Sequence, residues 1–341
     1  MKKIMLMLCF IILFVTGCVA SNPVIDEEEN MVSSKSNKYE KSKYVSYNGK
    51  LKVDGVNLVN QYGEEIQLRG ISSHGLQWYG DFINEENLKV LKNDWKSNVF
   101  RIAMYTDEDG YISNKDLLNT LDEKVDLVIK QDMYVIIDWH ILKDNNPMTY
   151  KEDAKEFFDK VSKKYKNSPN VIYEICNEPN GDTNWDNDIK PYAEEIIKVI
   201  RTNSKDSVII VGTPTWSQDI LDPVDNRIDD SNVMYALHFY AGSHKEWLRE
   251  RVIKAISENI PIFVSEWGTT NADGNGGVAI DESTTWVKFM NENNLSYINW
   301  SLSDKDEASA IIRPGTKKNG FTDADLTESG KFIKKVLRDE I

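Results

Sequence analysis

From residue 51 to the end of the chain, short apolar runs alternate with stretches whose apolar positions recur every three or four residues. The runs cover 67–72, 99–105, 134–140, 171–178, 208–214, 233–240, 261–268 and 296–303. Each is too short for a buried helix and is rich in β-branched and aromatic residues, so each predicts a strand. Helical periodicity lies between most of them, over 85–96, 115–131, 151–165, 189–202, 245–259 and 282–293, with a last helix at 328–337. After Pro214 the pattern is weakest and predicts a short helix near 218–221. Residues 51–70 alternate like a hairpin around Asp54-Gly55 and Tyr62-Gly63. Eight strands alternating with helices fit an α/β fold, a (β/α)8 TIM barrel in a single domain with a short N-terminal hairpin. A doubly wound open sheet competes, but no glycine-rich phosphate loop follows the first strand.

The N-terminus follows a different pattern. Lys2 and Lys3 precede an apolar run from Ile4 to Val15, which reads as a secretory leader over 1–17 and is short for a membrane span. The run ends in Val15-Thr16-Gly17-Cys18, similar to a bacterial lipobox, which implies a lipid on Cys18 and export to the cell surface. Residues 18–46 are rich in Ser, Asn, Lys and Glu and are expected to form a flexible tether, with the folded domain over 47–341. Of three cysteines, Cys9 leaves with the leader, Cys18 carries lipid and Cys176 remains alone. No intrachain disulfide is therefore expected, and Cys176 is read as a packing residue.

The net charge of −14 becomes −16 once Lys2 and Lys3 are removed. That disfavours nucleic acid and anionic membrane surfaces, leaving a neutral polymer as the better partner and the lipid as the one membrane contact. Nine Trp and fifteen Tyr offer surfaces that stack on flat rings, although most aromatics belong in cores.

Polar groups collect at the C-terminal ends of the predicted strands. Arg101 and Tyr105, His140, Asn177 and Glu178, His238 and Tyr240, Glu266, and Trp300 all fall there. In a barrel these ends converge on one mouth, where catalytic groups sit. A metal reading through His74, His140 and His238 has neither a His-x-x-x-His pair nor a cysteine cluster behind it.

Asn177-Glu178-Pro179 and Ser265-Glu266-Trp267-Gly268 resemble the two signatures of glycoside hydrolase family 5, over residues 51–338. The resemblance implies a retaining barrel enzyme with Glu178 as acid/base and Glu266 as nucleophile, on the fourth and seventh barrel strands. Residue types alone do not order the two roles. It implies neither cofactor nor metal, and a monomer is expected. Retention requires the two carboxyl groups about 5–5.5 Å apart. Arg101 would keep Glu266 ionised and aimed, and Tyr240 would donate to it. Asn177 is similar to the family residue that grips the sugar 2-hydroxyl, and His140 and His238 to residues lining the cleavage subsite. Trp300 resembles the platform beneath the sugar at the cleavage point, and Trp78 with Tyr79 a platform on the non-reducing side. His74 and Tyr105 resemble the polar partners there, and Trp216 is placed on the leaving-group side. Trp95, Trp139, Trp247 and Trp286 are assigned to the core. The run from Ser301 to Ala310 is similar to a loop of bacterial family 5 endoglucanases, which implicates Lys305, Asp306 and Glu307 in holding glucose hydroxyls, with Ala272 and Asp273 beside them. These resemblances imply an endo-β-1,4-glucanase acting on cellulose, β-glucan or cello-oligosaccharides. A family 5 hydrolase of mannan, lichenan or xyloglucan and a non-catalytic sugar-binding lipoprotein are the alternatives.

Overall fold

The computed structural model describes residues 43–341. The leader, Cys18 and residues 18–42 of the tether lie outside the described residues. Two short antiparallel strands, β1 (Lys52–Asp54) and β2 (Asn57–Val59), precede eight parallel ones. The latter are β3 (Arg69–Ser73), β4 (Val99–Tyr105), β5 (Tyr134–His140), β6 (Val171–Glu174), β7 (Ile209–Val211), β8 (Val233–Tyr240), β9 (Ile262–Gly268) and β10 (Tyr297–Leu302). They close in the order β10-β3-β4-β5-β6-β7-β8-β9, and the pairing of β10 with β3 excludes an open sheet.

Strand periodicity sorts the side chains into two cores. Along β4, Phe100, Ile102 and Met104 face the outer helices, while Val99, Arg101, Ala103 and Tyr105 face the barrel axis. β5 does the same, with Val135, Ile137 and Trp139 outward and Tyr134, Ile136, Asp138 and His140 inward. The axial core below the mouth contains Val99, Ile136, Ile172, Ile210, Met234, Phe263 and Ile298, joined by Val45, Leu51 and Leu58 from the N-terminal segment. This segment closes the bottom of the barrel. The Tyr134 hydroxyl donates to the Gly49 carbonyl at 2.7 Å, and the Val53 amide donates to Asn232 Oδ1 at 2.7 Å. Val45 is already buried and its amide donates to the Asp132 carbonyl, so the packed chain begins before residue 47, where the tether was expected to end.

Several predicted elements shift for local reasons. The helix after β3 runs over Glu85–Lys89 and then widens into a π-helical turn over Val90–Asp94. β6 ends at Glu174 rather than at residue 178, because beyond it the backbone is tied to alternate neighbours: Ile175 N–H bonds Ile210 and Asn177 N–H bonds Trp139. Gly212 allows this approach, since a Cβ there would lie 2.1 Å from the Cys176 carbonyl oxygen. Cys176 itself is fully buried in the layer between strands and helices. The helix expected near 218–221 is instead a turn at Pro214–Ser217, in which Thr215, Trp216 and Ser217 all have left-handed backbone (φ 56°, 54° and 57°). Trp95, Trp139 and Trp286 are fully buried as expected, but Trp247 is 45% exposed on the first turn of the helix Glu246–Ser257.

The seventh barrel strand contains a bulge. Ala236 and His238 of β8 pair with Phe263 and Glu266, so three steps of β9 oppose two. On the other side, Tyr297 and Asn299 pair with Val264 and Trp267, again three against two. Phe263 faces the axis and Trp267 the helices although they are four residues apart. The extra residue turns both Ser265 and Glu266 into the barrel.

Ile136 is fully enclosed in the axial core, whereas Ile253 is 48% exposed on an outer helix. Urea unfolding should show Ile136→Ala losing roughly 2–5 kcal/mol, the range for emptying a packed core site. Ile253→Ala should stay within about 0.5 kcal/mol of the parent. Equal losses would place the axial side chains outside the stabilising core.

Candidate active site

A single guanidinium organises the mouth. Arg101 is fully buried. Its Nε donates to Glu174 Oε2 at 2.7 Å, Nη1 to Glu266 Oε2 at 3.1 Å and Nη2 to Asn177 Oδ1 at 2.6 Å. Asp138 Oδ2 lies 3.0 Å from Nη2, and Ser72 Oγ lies 3.3 Å from Nη1. The contacting residues come from β3, β5, β9, and β6 with the segment after it, so the planar fork fixes strand ends relative to one another. Burial opposes the Arg101 charge, but Asp138, Glu174 and Glu266 more than offset it and raise its pKa further. Glu174 is likewise opposed by burial, yet Arg101 and His238 hold its carboxyl down at about 2.

Glu266 receives donors on both oxygens. Arg101 binds Oε2, and the Tyr240 hydroxyl donates to Oε1 at 2.8 Å. Glu178 Oε1 meets His238 Nδ1 at 2.9 Å. His238 Nε2 meets Ser265 Oγ at 2.9 Å, and that hydroxyl donates to Glu174 Oε1 at 2.6 Å. Because Ser265 spends its proton on Glu174, the imidazole must donate to Ser265 and also to Glu178, which makes it an imidazolium. Burial opposes that charge, but the hydrogen bonds to Glu174 and Glu178 and the nearby Glu266 raise its pKa to about 9. His140 differs. Burial and the Arg101 charge push it well below the usual range, so it is neutral. Its Nδ1–H points at Asp138 Oδ2 at 2.7 Å, and Nε2 faces the Asn177 amide at 3.3 Å.

The facing oxygens of Glu178 and Glu266 and the nearest His238 nitrogen all lie within 4.8 Å of one another. That spacing could suit a cation, but His238 has both nitrogens protonated and Glu266 already holds two donors. Instead, the arrangement couples two carboxyl groups. Burial and the Glu178 charge raise the Glu266 carboxyl to about 7, against His238, Arg101 and Tyr240. One proton on the pair relieves this repulsion. The two carboxyls are held differently: Arg101 and Tyr240 donate to both Glu266 oxygens, whereas Glu178 meets His238 through Oε1 alone.

The pair opens into a cavity of about 490 Å³ whose lining includes His74, Tyr105, His140, Trp216, His238, Tyr240, Trp300, Lys305 and Glu307. Ala272 and Asp273 contribute from the loop after β9. An adjoining cavity of about 360 Å³ is walled by Trp78, Tyr79 and Glu108, and shares His74, Tyr105 and Lys305 with the first. His140 stacks between Tyr105 (centroids 4.1 Å apart) and Trp300 (5.3 Å), forming an aromatic wall. His74 Nδ1 accepts from the Gly75 amide at 2.7 Å, which leaves Nε2–H as its outward donor. Burial and the Lys305 charge push its pKa down to about 3, so it stays neutral. Lys305 is ion-paired with Glu307.

Two expected site residues stand apart. Asp306 is exposed and lines neither cavity, because the loop turns its neighbours Lys305 and Glu307 inward instead. Asn177 is fully buried, with its amide committed to Arg101, His140 and the Ile141 carbonyl, so it braces the mouth from beneath. The sequence reading did not include Asp138, Glu174, Ser265, Gln218 or His244. Glu174 was the most accessible of these, being an acid within an apolar strand buried on both faces. Asp138 carried the same signal in β5.

The profile of the family described as Cellulase (glycosyl hydrolase family 5) matches residues 59–306. Endoglucanase 5 of Pectobacterium carotovorum is 52% identical over 295 residues, which are 86% of this chain and 58% of that protein. Endoglucanase A of Evansella cellulosilytica is 54% identical over 279 residues, 81% of this chain and 57% of its own length. The chain thus spans less than two thirds of these relatives. Among solved structures, the catalytic domain of Thermobifida fusca endoglucanase Cel5A in complex with cellotetraose superposes with a TM-score of 0.83 at 36% identity, covering 86% of this chain and 99% of that one. A Cytophaga hutchinsonii structure gives 0.84 at 42% identity, covering 87% and 96%. With its closed barrel and two facing glutamates, the chain belongs to the cellulase family, glycosyl hydrolase family 5.

Proposed function

We propose that this protein is a retaining endo-β-1,4-glucanase acting on soluble β-glucan chains and cello-oligosaccharides. The observation that carries the reading is the approach of Glu178 and Glu266 to within 4.8 Å at the floor of the cavity. That spacing leaves no room for a water between carboxylate and sugar and suits direct attack. Glu178 gives its proton to the glycosidic oxygen as the bond from that oxygen to the anomeric carbon breaks. A Glu266 oxygen bonds the same carbon from the opposite face. Glu178, now ionised, takes a proton from water, which attacks that carbon and frees Glu266 with the original configuration restored. Arg101 and Tyr240 favour the ionised Glu266, and the inner hydrogen bond from His238 orients Glu178. Identities of 52–54% to proteins named endoglucanases support the substrate class.

Proton NMR during cellopentaose hydrolysis should show the β-anomer as the first product. First appearance of the α-anomer would overturn retention, and strong mannan cleavage with idle cello-oligosaccharides would overturn the substrate class. Glu266→Ala should lower kcat on the order of 10⁴-fold, the scale for losing a covalent nucleophile, while cello-oligosaccharide binding by calorimetry persists. An unchanged kcat would remove Glu266 from that role.

The pair works with one proton and stops working when it leaves. Since burial and the Glu178 charge hold Glu266 up at about 7, kcat/KM should fall as pH rises through about 7. The His238 charge opposes that shift. His238→Asn should therefore move the basic limb of the pH profile upward, whereas a limb that stays or moves down would disconnect the imidazolium from the pair.

We further propose that the protein is exported and held at the bacterial surface by a lipid on Cys18. The charged and apolar leader and the Gly17-Cys18 junction support this. In cells fed an alkyne fatty acid, the parent should be labelled and Cys18→Ser should not. Equal labelling of both would refute the assignment.

A further inference from the structure

Trp216 and His244 line the end of the main cavity that is not shared with the Trp78 cavity. Just outside that end, Trp247 is 45% exposed, and its ring lies 6.0 Å from the His244 ring at 64°. Trp247 does not line the cavity itself. A half-exposed indole beside the end of a sugar cleft presents a flat apolar face on which a pyranose ring can stack.

The surroundings fix the His244 ring against which Trp247 lies. His244 Nδ1 accepts from the Tyr240 amide at 2.8 Å, and its carbonyl accepts from Trp286 Nε1 at 2.8 Å. Ser243 Oγ accepts from the Ala272 amide at 2.9 Å, tying the approach to Trp247 to the loop after β9. One turn further along the same helix, Arg251 pairs with Asp219 at 2.7 Å. Asp219 also accepts from the Thr215 hydroxyl at 2.5 Å. Thr215 and Trp216 both have left-handed backbone, which is strained for a β-branched residue. The Arg251–Asp219–Thr215 brace therefore links the helix of Trp247 to the strained turn that projects Trp216, a link that places the two exposed indoles on adjoining, mutually fixed supports. Residues 247 and 251 are one helical turn apart and share a face.

We infer that Trp247 is a stacking platform for a glucose unit of the leaving side of the chain, beyond the units held near Trp216 and His244. This inference rests on the glucanase reading above. The occupant is the same β-glucan, because the ring is continuous with the cleft through His244 and the flat faces of pyranose rings match exposed indoles. A chain long enough to reach Trp247 gains affinity and is cut in a register that fills the platform. A short substrate with an aryl leaving group never reaches it.

The test compares Trp247→Ala and Trp247→Phe with the parent on cellohexaose and on an aryl cellobioside. For Trp247→Ala, KM on cellohexaose should rise about three- to tenfold, the worth of one aromatic contact. Its cellohexaose products should shift toward cleavage nearer the reducing end, since the leaving-side extension no longer holds the chain. Its aryl cellobioside constants and melting temperature should match the parent, and Trp247→Phe should restore most of the cellohexaose KM. Unchanged cellohexaose KM and product pattern in Trp247→Ala would overturn the platform while leaving the glucanase reading intact. Equal losses on both substrates would also overturn it, by showing a general structural role. A parent protein inert on both substrates would overturn the glucanase reading and the platform with it.

Discussion

The mouth of this barrel depends on keeping several carboxylates close together in a dry place. Asp138, Glu174 and Glu266 surround Arg101, and Glu178 stands across the cavity. Without a compensating cation, burying these groups together would be prohibitive. Arg101 supplies one positive charge and the His238 imidazolium a second, bridging Glu178 to Ser265 and Glu174. Four acids still outnumber these two cations, and a proton shared within the Glu178–Glu266 pair lessens the excess negative charge. Chemical asymmetry between two like residues thus arises from who donates to whom, and the strand ends are held by the same contacts that tune the acids.

Much of this was legible in the sequence, for an identifiable reason. β4, β5 and β8 are buried on both faces, so their apolar runs are continuous, and their bounds match the reading at both ends. Polar residues at the ends of such runs have no packing explanation, and that singled out Arg101, His140, His238 and Tyr240. The reading weakened wherever the backbone left regular structure. Glu178 lies four residues beyond the end of β6, held by hydrogen bonds to two different strands. The turn at Pro214–Ser217 has no helical or strand period because three consecutive residues are left-handed.

Other features were hidden because they belong to spatial neighbours. Glu174 and Asp138 look like isolated acids until Arg101 is placed between them. Asn177 has a signature position, but its surroundings commit its amide to protein partners. Trp247 was assigned to the core on residue type, but the buried stripe of its helix is Leu248, Val252 and Ala255, and Trp247 lies off that stripe on the face of Arg251.

The irregularity in β9 limits how this scaffold can be improved. A mutation that restored an unbroken ladder between β8 and β10 would add hydrogen bonds and tighten the barrel wall, and a stability screen would favour it. The same change would rotate Glu266 toward the helices and leave Arg101 and Tyr240 without their partner. Thermostabilisation and turnover are therefore opposed at this one strand, and gains in robustness have to be sought elsewhere, in the outer helices or the hydrophobic plug beneath the barrel.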